Sequence, residues 1–319
     1  MSRHGRSVVR AMRQADETKV RQESDGSRPL ISIGMPVYNG ERTIRRAIDA
    51  LLAQTLPDFE LIISDNASDD ATEEICLGYA RSDPRVRYLR NPRNIGASRN
   101  FNRVFELARG KYFKWAAHDD WVAPEFLARC VSSLEAHPDA ALCWAGAVFV
   151  DEEEKPTDSQ PLRADPELLT AESPQRRRFR QALYVHPGPP LFGVIRPEVL
   201  TRTGLMRPII GGDRVLVAEL SLLAGFCWVA EPLMYYTHYP NERVGYYSAQ
   251  WWNPGLRRPR LLRGIPRQGL HCAATVLRWG TGPATTAALL SDVGRKYGRL
   301  TLRRVGWLAR TSLTGTGAP

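Results

Sequence analysis

Between residues 30 and 150, short apolar runs alternate with segments whose apolar residues recur at helical spacing, and this alternation constrains the fold more than any other feature of the chain. LISIGMP (30–36), FELIIS (59–64), VRYL (86–89), KYFKWAA (111–117) and ALCWAGAVFV (141–150) each read as a buried strand. Between them, Ile44, Ala47, Ile48, Leu51 and Leu52 fall on one helical face, closed by Pro57. Phe101, Val104, Phe105 and Ala108 mark a second helix, stopped by Gly110, and Pro124 opens a third through Phe126, Leu127, Cys130, Val131 and Leu134. Strands alternating with helices predict βαβ units, hence an α/β fold with a mostly parallel central sheet flanked by helices. In such sheets, ligands dock outside the carboxyl ends of the strands, near a switch in strand order. Asp65-Asn66 follow the second strand and His118-Asp119-Asp120 the fourth, so both groups are expected at that rim.

The remainder is less regular. Residues 1–28 are polar and charged and are expected to be a disordered basic tail. Residues 151–190 are charged and proline-rich and read as a long loop. Structure is expected to resume with LFGVI (191–195), a helix from Pro197, and a helix at 213–224 with Leu216, Leu220 and Leu223 on one face. Two short strands are expected near 226–229 and 233–238. From 255 the chain is arginine-rich with apolar residues at helical spacing. The expected organisation is therefore a tail at 1–28, an α/β domain at 29–240 and a mostly helical extension at 241–319.

The formal net charge of +10 favours an anionic partner. Five scattered cysteines, Cys76, Cys130, Cys143, Cys227 and Cys272, form no CxxC pair, which argues against structural zinc and fits a reducing compartment. No apolar core follows the basic N-terminal residues, so no signal peptide is expected, and no apolar run is long enough for a transmembrane helix. There is no GxxxxGK[ST] loop, GxSxG elbow or HExxH pair, and no basic-aromatic RNA motif, so nucleic acid is not the expected partner. The arginine groups Arg176, Arg177, Arg178, Arg180 and Arg257, Arg258, Arg260, Arg263 read either as solvated faces or as a contact with anionic lipid.

Four short motifs bear on chemistry. Asp119 and Asp120 are either turn residues or ligands of a hard cation, which uses one or two carboxylates together with substrate phosphates. His118 reads as a packing or hydrogen-bonding residue. In SDNASDDATEE (64–74), Asp70 and Glu73 fit a capping box, which leaves Asp65 and Asn66 unexplained and free to accept a nucleobase N–H. NPRNIGASRN (91–100) is equally a plain loop or a segment passing close to a ligand, with Arg99 near a phosphate. In GGDR (211–214), Asp213 reads as an N-cap, while the two glycines permit close approach of backbone to a ligand. His238, in YYTHY, is either a metal ligand or an imidazole packed among tyrosines.

Taken in order, these motifs resemble the family-two glycosyltransferases with a GT-A, Rossmann-like fold. ISIGMPVYNGERTIRRAIDALLAQTLPDFELIISDNASDDAT is similar to that family's opening almost throughout, and NPRNIGASRNFN and KWAAHDDWVAPEFL extend the likeness to about residue 135. LFGVIRPEVL and GGDRVLVAELSLL continue it more loosely. The resemblance implies an inverting transfer of a sugar from a nucleotide diphosphate sugar, a UDP-sugar first among donors, to a glycan or lipid-linked acceptor in surface polysaccharide or glycolipid synthesis. It implies that Pro36, Tyr38, Asp65 and Asn66 line the base and ribose pocket, that Arg99 approaches the donor, and that Asp119 lies near the ribose. It further implies Mg²⁺ or Mn²⁺ held by Asp120 and His238, and Asp213 as catalytic base. A cytoplasmic enzyme, peripheral on an anionic membrane face, is the expected setting. Three positions depart from the pattern: Ala117 stands where the metal motif usually has its first acid, Asn66 replaces an acid, and Gly212 precedes Asp213 where an acid is common. The first departure keeps a second reading open, a non-catalytic nucleotide-sugar-binding protein. A nucleotidyltransferase would need a glycine- and lysine-rich phosphate loop that PVYNGERT does not supply.

Overall fold

The computed structural model describes residues 28–151, 153–157, 169–184, 188–237 and the backbone of 264–314, with side chains of 267–300 in that last stretch. Eight strands form one sheet: β1 (Ile31–Val37), β2 (Phe59–Asp65), β3 (Val86–Arg90), β4 (Tyr112–Trp115), β5 (Trp121–Val122), β6 (Ala140–Val150), β7 (Val194–Ile195) and β8 (Gly225–Thr237). Their spatial order is β3-β2-β1-β4-β7-β6-β8-β5. The helices are α1 (Ile44–Leu52), α2 (Thr72–Ser82), α3 (Ala97–Glu106), α4 (Phe126–Ala136), α5 (Gln175–Tyr184), α6 (Gly188–Leu191), α7 (Pro197–Leu200), α8 (Gly212–Leu223), α9 (Gly264–Trp279) and α10 (Pro283–Thr314).

β1 is central and parallel to β2 on one side and β4 on the other. All seven of its residues are buried, as expected for a strand covered on both faces. The chain leaves β1 toward β2 and β3, then returns to the opposite side of β1 as β4. The switch in strand order therefore lies between β1 and β4, where Tyr38 and the His118–Asp120 turn emerge. Antiparallel pairings of β7 with β4 and β6, and of β5 with β8, complete the mixed sheet. Gly34 makes the packing over β1 possible: a Cβ there would stand 2.6 Å from Val104 Cγ2, so only glycine lets α3 lie this close. That contact holds the last turn of α3 against the middle of β1.

Three expectations are corrected. The stretch 151–190 is not loop throughout, because α5 buries Phe179, Ala182 and Leu183 from within it. The two short strands after α8 are one strand, β8, paired with β6 through local register shifts. The capping box does not close: the N-cap is Ala71, Asp70 accepts from Thr72 N–H at 3.0 Å and Glu41 N–H at 3.1 Å, and Glu73 pairs with Arg90 at 2.9 Å. Arg90 lies on the neighbouring strand, and its charge outcompetes a local bond to the N-cap amide.

The C-terminal stretch is helical, as expected, and its helices join the core. Cys272, Val276, Leu289, Val293 and Tyr297 are buried in the same core cluster as the sheet. α9 packs on α8, and α10 on α5. Gln175 donates to the Trp279 carbonyl at 3.0 Å, and Arg176 pairs with the buried Asp292 at 2.9 Å. No described helix is long and apolar enough to cross a membrane.

Candidate functional site

The carboxyl ends of β1 and β2 are in register, Val37 opposite Asp65, and Asn66 N–H continues the ladder to the Val37 carbonyl at 2.8 Å. Tyr38 and Asn66 therefore leave the sheet side by side. With Pro36, Val37, Asn94, Ala97, Asn100 and Phe101 they line a cleft. Its floor is a network of asparagines. Asn66 accepts from Asn91 at 3.1 Å and from Ile95 N–H at 2.9 Å, and donates to Asn94 at 2.9 Å. Asn100 accepts from Asn91 at 2.9 Å and from Ser64 at 2.7 Å. Asn91 and Asn100 carry no charge and are the first and last residues of the NPRNIGASRN segment. Their spacing around the NIGAS segment was the only signal available in sequence.

Asp65 sits differently from its neighbour. It is buried, and its carboxylate accepts from Ser68 N–H at 2.8 Å, Ser68 Oγ at 2.6 Å, Tyr88 at 2.7 Å and Arg90 at 3.0 Å. It braces the turn that carries Asn66 rather than lining the cleft. Burial and the bond to Asp65 push the Tyr88 hydroxyl well up. Arg99 is exposed on the first turn of α3 and is not among the cleft-lining residues.

Beyond β4 the chain turns through His118, Asp119 and Asp120. His118 is buried, with Nδ1 3.1 Å from Thr43 Oγ1, in keeping with a packing role. Two elements hold the carbonyl of Asp119: Arg46 donates to it at 2.8 Å from α1, and the Thr237 hydroxyl donates to it from the end of β8. Thr237 N–H donates to Asp120 Oδ1 at 2.8 Å. Arg46 also pairs with Glu154 at 2.8 Å and lies over the Trp121 ring, which stacks on Tyr235 across the β5–β8 ladder. Arg46 has no motif signature, because its partners come from three separate segments: 119–121, Glu154 and Thr237.

The carboxyl of Asp120 lies deep even though part of the residue's surface is open. Burial and the neighbouring Asp119 push it well above the usual carboxylate range, against the opposing pull of Thr237 N–H, Lys114 and Arg46. Lys114 is buried beneath the turn and shares a cavity with Asp120; burial pulls it down to about 8. Its ammonium donates to the carbonyls of Trp115 and Phe192. Two adjacent hard oxygen donors, one with its charged form disfavoured, suit a hard divalent cation. Ala117 offers no ligand, and no cluster of three His, Cys, Asp or Glu side chains among the described residues is placed to hold a metal. His238 lies outside the described residues.

Asp213 is in the first turn of α8, half-buried, where a carboxylate suits the helix dipole. The N-cap is Gly211, not Asp213. Asp213 Oδ1 accepts from Arg214 N–H at 2.8 Å. The preceding glycines serve protein packing: a Cβ on Gly211 would meet Gln268 at 2.3 Å, and one on Gly212 would meet the Arg207 carbonyl at 2.4 Å. Gly211 also has φ +76°. Ser98 donates to the Arg207 carbonyl at 3.0 Å, and Asn102 exchanges bonds with Met206 at 2.9 and 3.1 Å. α3 thus touches both the cleft and the loop that leads to Asp213.

Residues 32–200 match the family model of glycosyl transferase family 2. The chain is 30% identical over 163 residues to an uncharacterized glycosyltransferase of Methanocaldococcus jannaschii, covering 50% of this chain and 54% of the relative. It is 39% identical over 106 residues to an uncharacterized glycosyltransferase of Rickettsia prowazekii, covering 33% of this chain and 32% of the relative. The matched stretch thus spans about half of the first relative's length and about a third of the second's. Among solved structures, TarS 1–349 of S. aureus in complex with UDP-GlcNAc superimposes with a TM-score of 0.62 at 17% identity, covering 82% of this chain and 71% of that one. The mannosyltransferase PcManGT from Pyrobaculum calidifontis, in complex with GDP-Man and Mn²⁺, gives a TM-score of 0.53 at 16% identity, over 92% and 77% of the two chains. At these identities the likeness establishes the fold, GT-A.

Proposed function

The chain belongs to glycosyltransferase family 2, and from that premise we propose that it moves a sugar from a nucleoside diphosphate donor to an acceptor hydroxyl, with inversion at the anomeric carbon. The observation that carries this reading is that the cleft lined by Pro36, Tyr38 and Asn66 lies at the carboxyl end of β1, while the Asp119–Asp120 turn follows the carboxyl end of β4, the parallel strand beside it at the switch point. The neighbours' ligands, UDP-GlcNAc in one and GDP-Man in the other, support a nucleotide sugar as donor. A UDP-sugar is our first choice, and a glycan or lipid-linked hydroxyl in surface polysaccharide synthesis is our choice of acceptor.

In this reading Tyr38 and Pro36 pack against the base and ribose, and Asn66 with its asparagine network shapes the pocket edge. Asp120, with Asp119, would hold Mg²⁺ or Mn²⁺ together with the donor's diphosphate oxygens. The bound cation supplies positive charge that stabilises the departing diphosphate. Lys114 and Arg46 restrain the repulsion between the two carboxylates when no ligand is present. The acceptor hydroxyl is a weak nucleophile and needs a base. Asp213 takes its proton as the hydroxyl oxygen bonds to the anomeric carbon, from the face opposite the diphosphate. The bond from that carbon to the diphosphate breaks, and its electron pair leaves with the diphosphate.

Incubating the chain with a panel of nucleotide sugars and Mn²⁺ tests the reading, with proton NMR to read the anomeric configuration of the product. Hydrolysis or transfer of one donor, with inverted product, is expected. Ala117 favours one competing reading, a binding protein without turnover, which predicts saturable donor binding and no product. A retained anomeric configuration would overturn the single-displacement mechanism.

A further inference from the structure

α9 has two unlike faces. Gly269, Cys272, Thr275 and Val276 are buried where the helix packs on α8 and α10. On the opposite side, Arg267, Leu270, Ala274, Leu277 and Arg278 recur at helical spacing and are all exposed. Leu270 is 71% exposed and Leu277 is 69% exposed, whereas the next large apolar side chain among the described residues, Tyr184, is 47% exposed. Two leucines seven residues apart share a face, so this is a ridge rather than scattered exposure.

In sequence, the charge of this C-terminal stretch is almost all of one sign. Residues 241–319 hold 13 basic and 2 acidic side chains, enough to account for the whole of the chain's +10. Within the two helices, 264–314, the sole acidic residue is Asp292. It is buried between Arg176 and Arg295 and presents no negative charge outward. Arg267 and Arg278 flank the leucine ridge on α9, and Arg295 and Arg299 are exposed on α10.

We propose that the Arg267–Leu270–Ala274–Leu277–Arg278 face of α9 docks on an anionic lipid surface, with the leucines entering the headgroup–acyl boundary and the arginines meeting the headgroups. Lipid is the occupant that uses both features. A nucleic acid would reward the arginines and gain little from two bare leucines, and a second copy of this strongly basic surface would be repelled. Docking also places the site. Gln268, on the inner side of α9, donates to the Ile210 carbonyl, three residues before Asp213. Asp213 then lies within about two helix diameters, roughly 20–25 Å, of the headgroups. The acceptor that follows is a hydroxyl on a lipid-linked glycan; this last step rests on the glycosyl transfer proposed above, whereas docking does not.

Co-sedimentation of the full chain with vesicles tests the docking without any turnover. The chain should bind phosphatidylcholine vesicles containing phosphatidylglycerol at low salt, release as salt rises, and ignore pure phosphatidylcholine. Leu270→Glu with Leu277→Glu should lower binding at least about tenfold while leaving the melting temperature unchanged, because both side chains are already in water. Arg267→Gln with Arg278→Gln should flatten the salt dependence. No sedimentation of the parent at low salt overturns the proposal, as does unchanged binding of the double leucine variant. So does a dimer that this variant dissociates in the absence of vesicle binding, which would assign the face to a second copy. If vesicles are bound but only water-soluble acceptors are glycosylated, docking stands and the lipid-linked acceptor falls.

Discussion

The guanidinium carbon of Arg46 stands 3.8 Å from the centroid of the Trp121 ring. From that position the same side chain reaches the Asp119 carbonyl and Glu154, each at 2.8 Å. One arginine on α1 thus joins the carboxylate turn, strand β5 and the segment after β6. Lysine cannot reproduce this, having neither a flat face nor a fork of donors. Arg46→Lys should therefore raise the donor KM and weaken its dependence on Mn²⁺ by about tenfold, the scale of one charge-assisted hydrogen bond. The acceptor KM should stay put. Initial rates at varied donor, metal and acceptor separate these effects, and a uniform loss of kcat alone would remove the positioning role.

Asp120 should make the unliganded protein less stable at neutral pH than it would be without the charge. Its native carboxyl lies above the ordinary range because burial and Asp119 oppose ionisation. The folded chain therefore holds that proton more tightly than the unfolded chain does. Stability is lost as pH rises from the ordinary carboxylate range toward the raised native value, and below that range the group contributes nothing. Asp120→Asn should melt higher than the parent at neutral pH without ligand, and the gap should close below about pH 4. The rise in melting temperature on adding nucleotide and Mn²⁺ should disappear in the variant. A lower melting temperature at neutral pH would mean that Lys114 and Arg46 already compensate the charge.

Asp213→Asn keeps the shape of the side chain and still accepts the Arg214 N–H. Folding and donor binding should match the parent, whereas transfer should fall by about 10²–10⁴, the usual share of a general base. Calorimetry with nucleotide beside a transfer assay reads both. Near-parental transfer would leave Asp213 as a helix-dipole residue only.

Removing residues 264–319 should abolish soluble folded protein. The deletion strips Cys272, Val276, Leu289, Val293 and Tyr297 from the core. Full burial of a large apolar side chain contributes about 1.5–3 kcal/mol, so several together rival a net stability of about 5–15 kcal/mol. Expression and circular dichroism of the truncated chain give the answer. A stable, cooperatively melting 1–263 fragment would show that the core closes without these helices.

Much of this was written locally in the chain. The apolar runs of β1, β2, β4 and β6 and the helical spacing of α1, α3 and α4 fixed the sheet type, because burial on two faces and a 3.6-residue period are properties of neighbours in sequence. The PVYN, DNAS and HDD segments fall at strand ends by counting alone, and that places Tyr38, Asn66 and Asp120 at one rim. The sequence by itself thus determined the α/β class, the rim where chemistry is expected and the residue types there. Tertiary structure alone decided how those residues are used. Whether Asp65 faces the cleft depends on Tyr88 and Arg90 on the next strand, which occupy its oxygens first. The carboxylate turn rests on Arg46 and Thr237, 73 and 118 residues away from Asp119. The glycines before Asp213 make room for Gln268 and Arg207, which the local sequence does not reveal. Hydrogen-bond satisfaction and close packing are settled between segments that meet only on folding, and no local pattern records which partner wins.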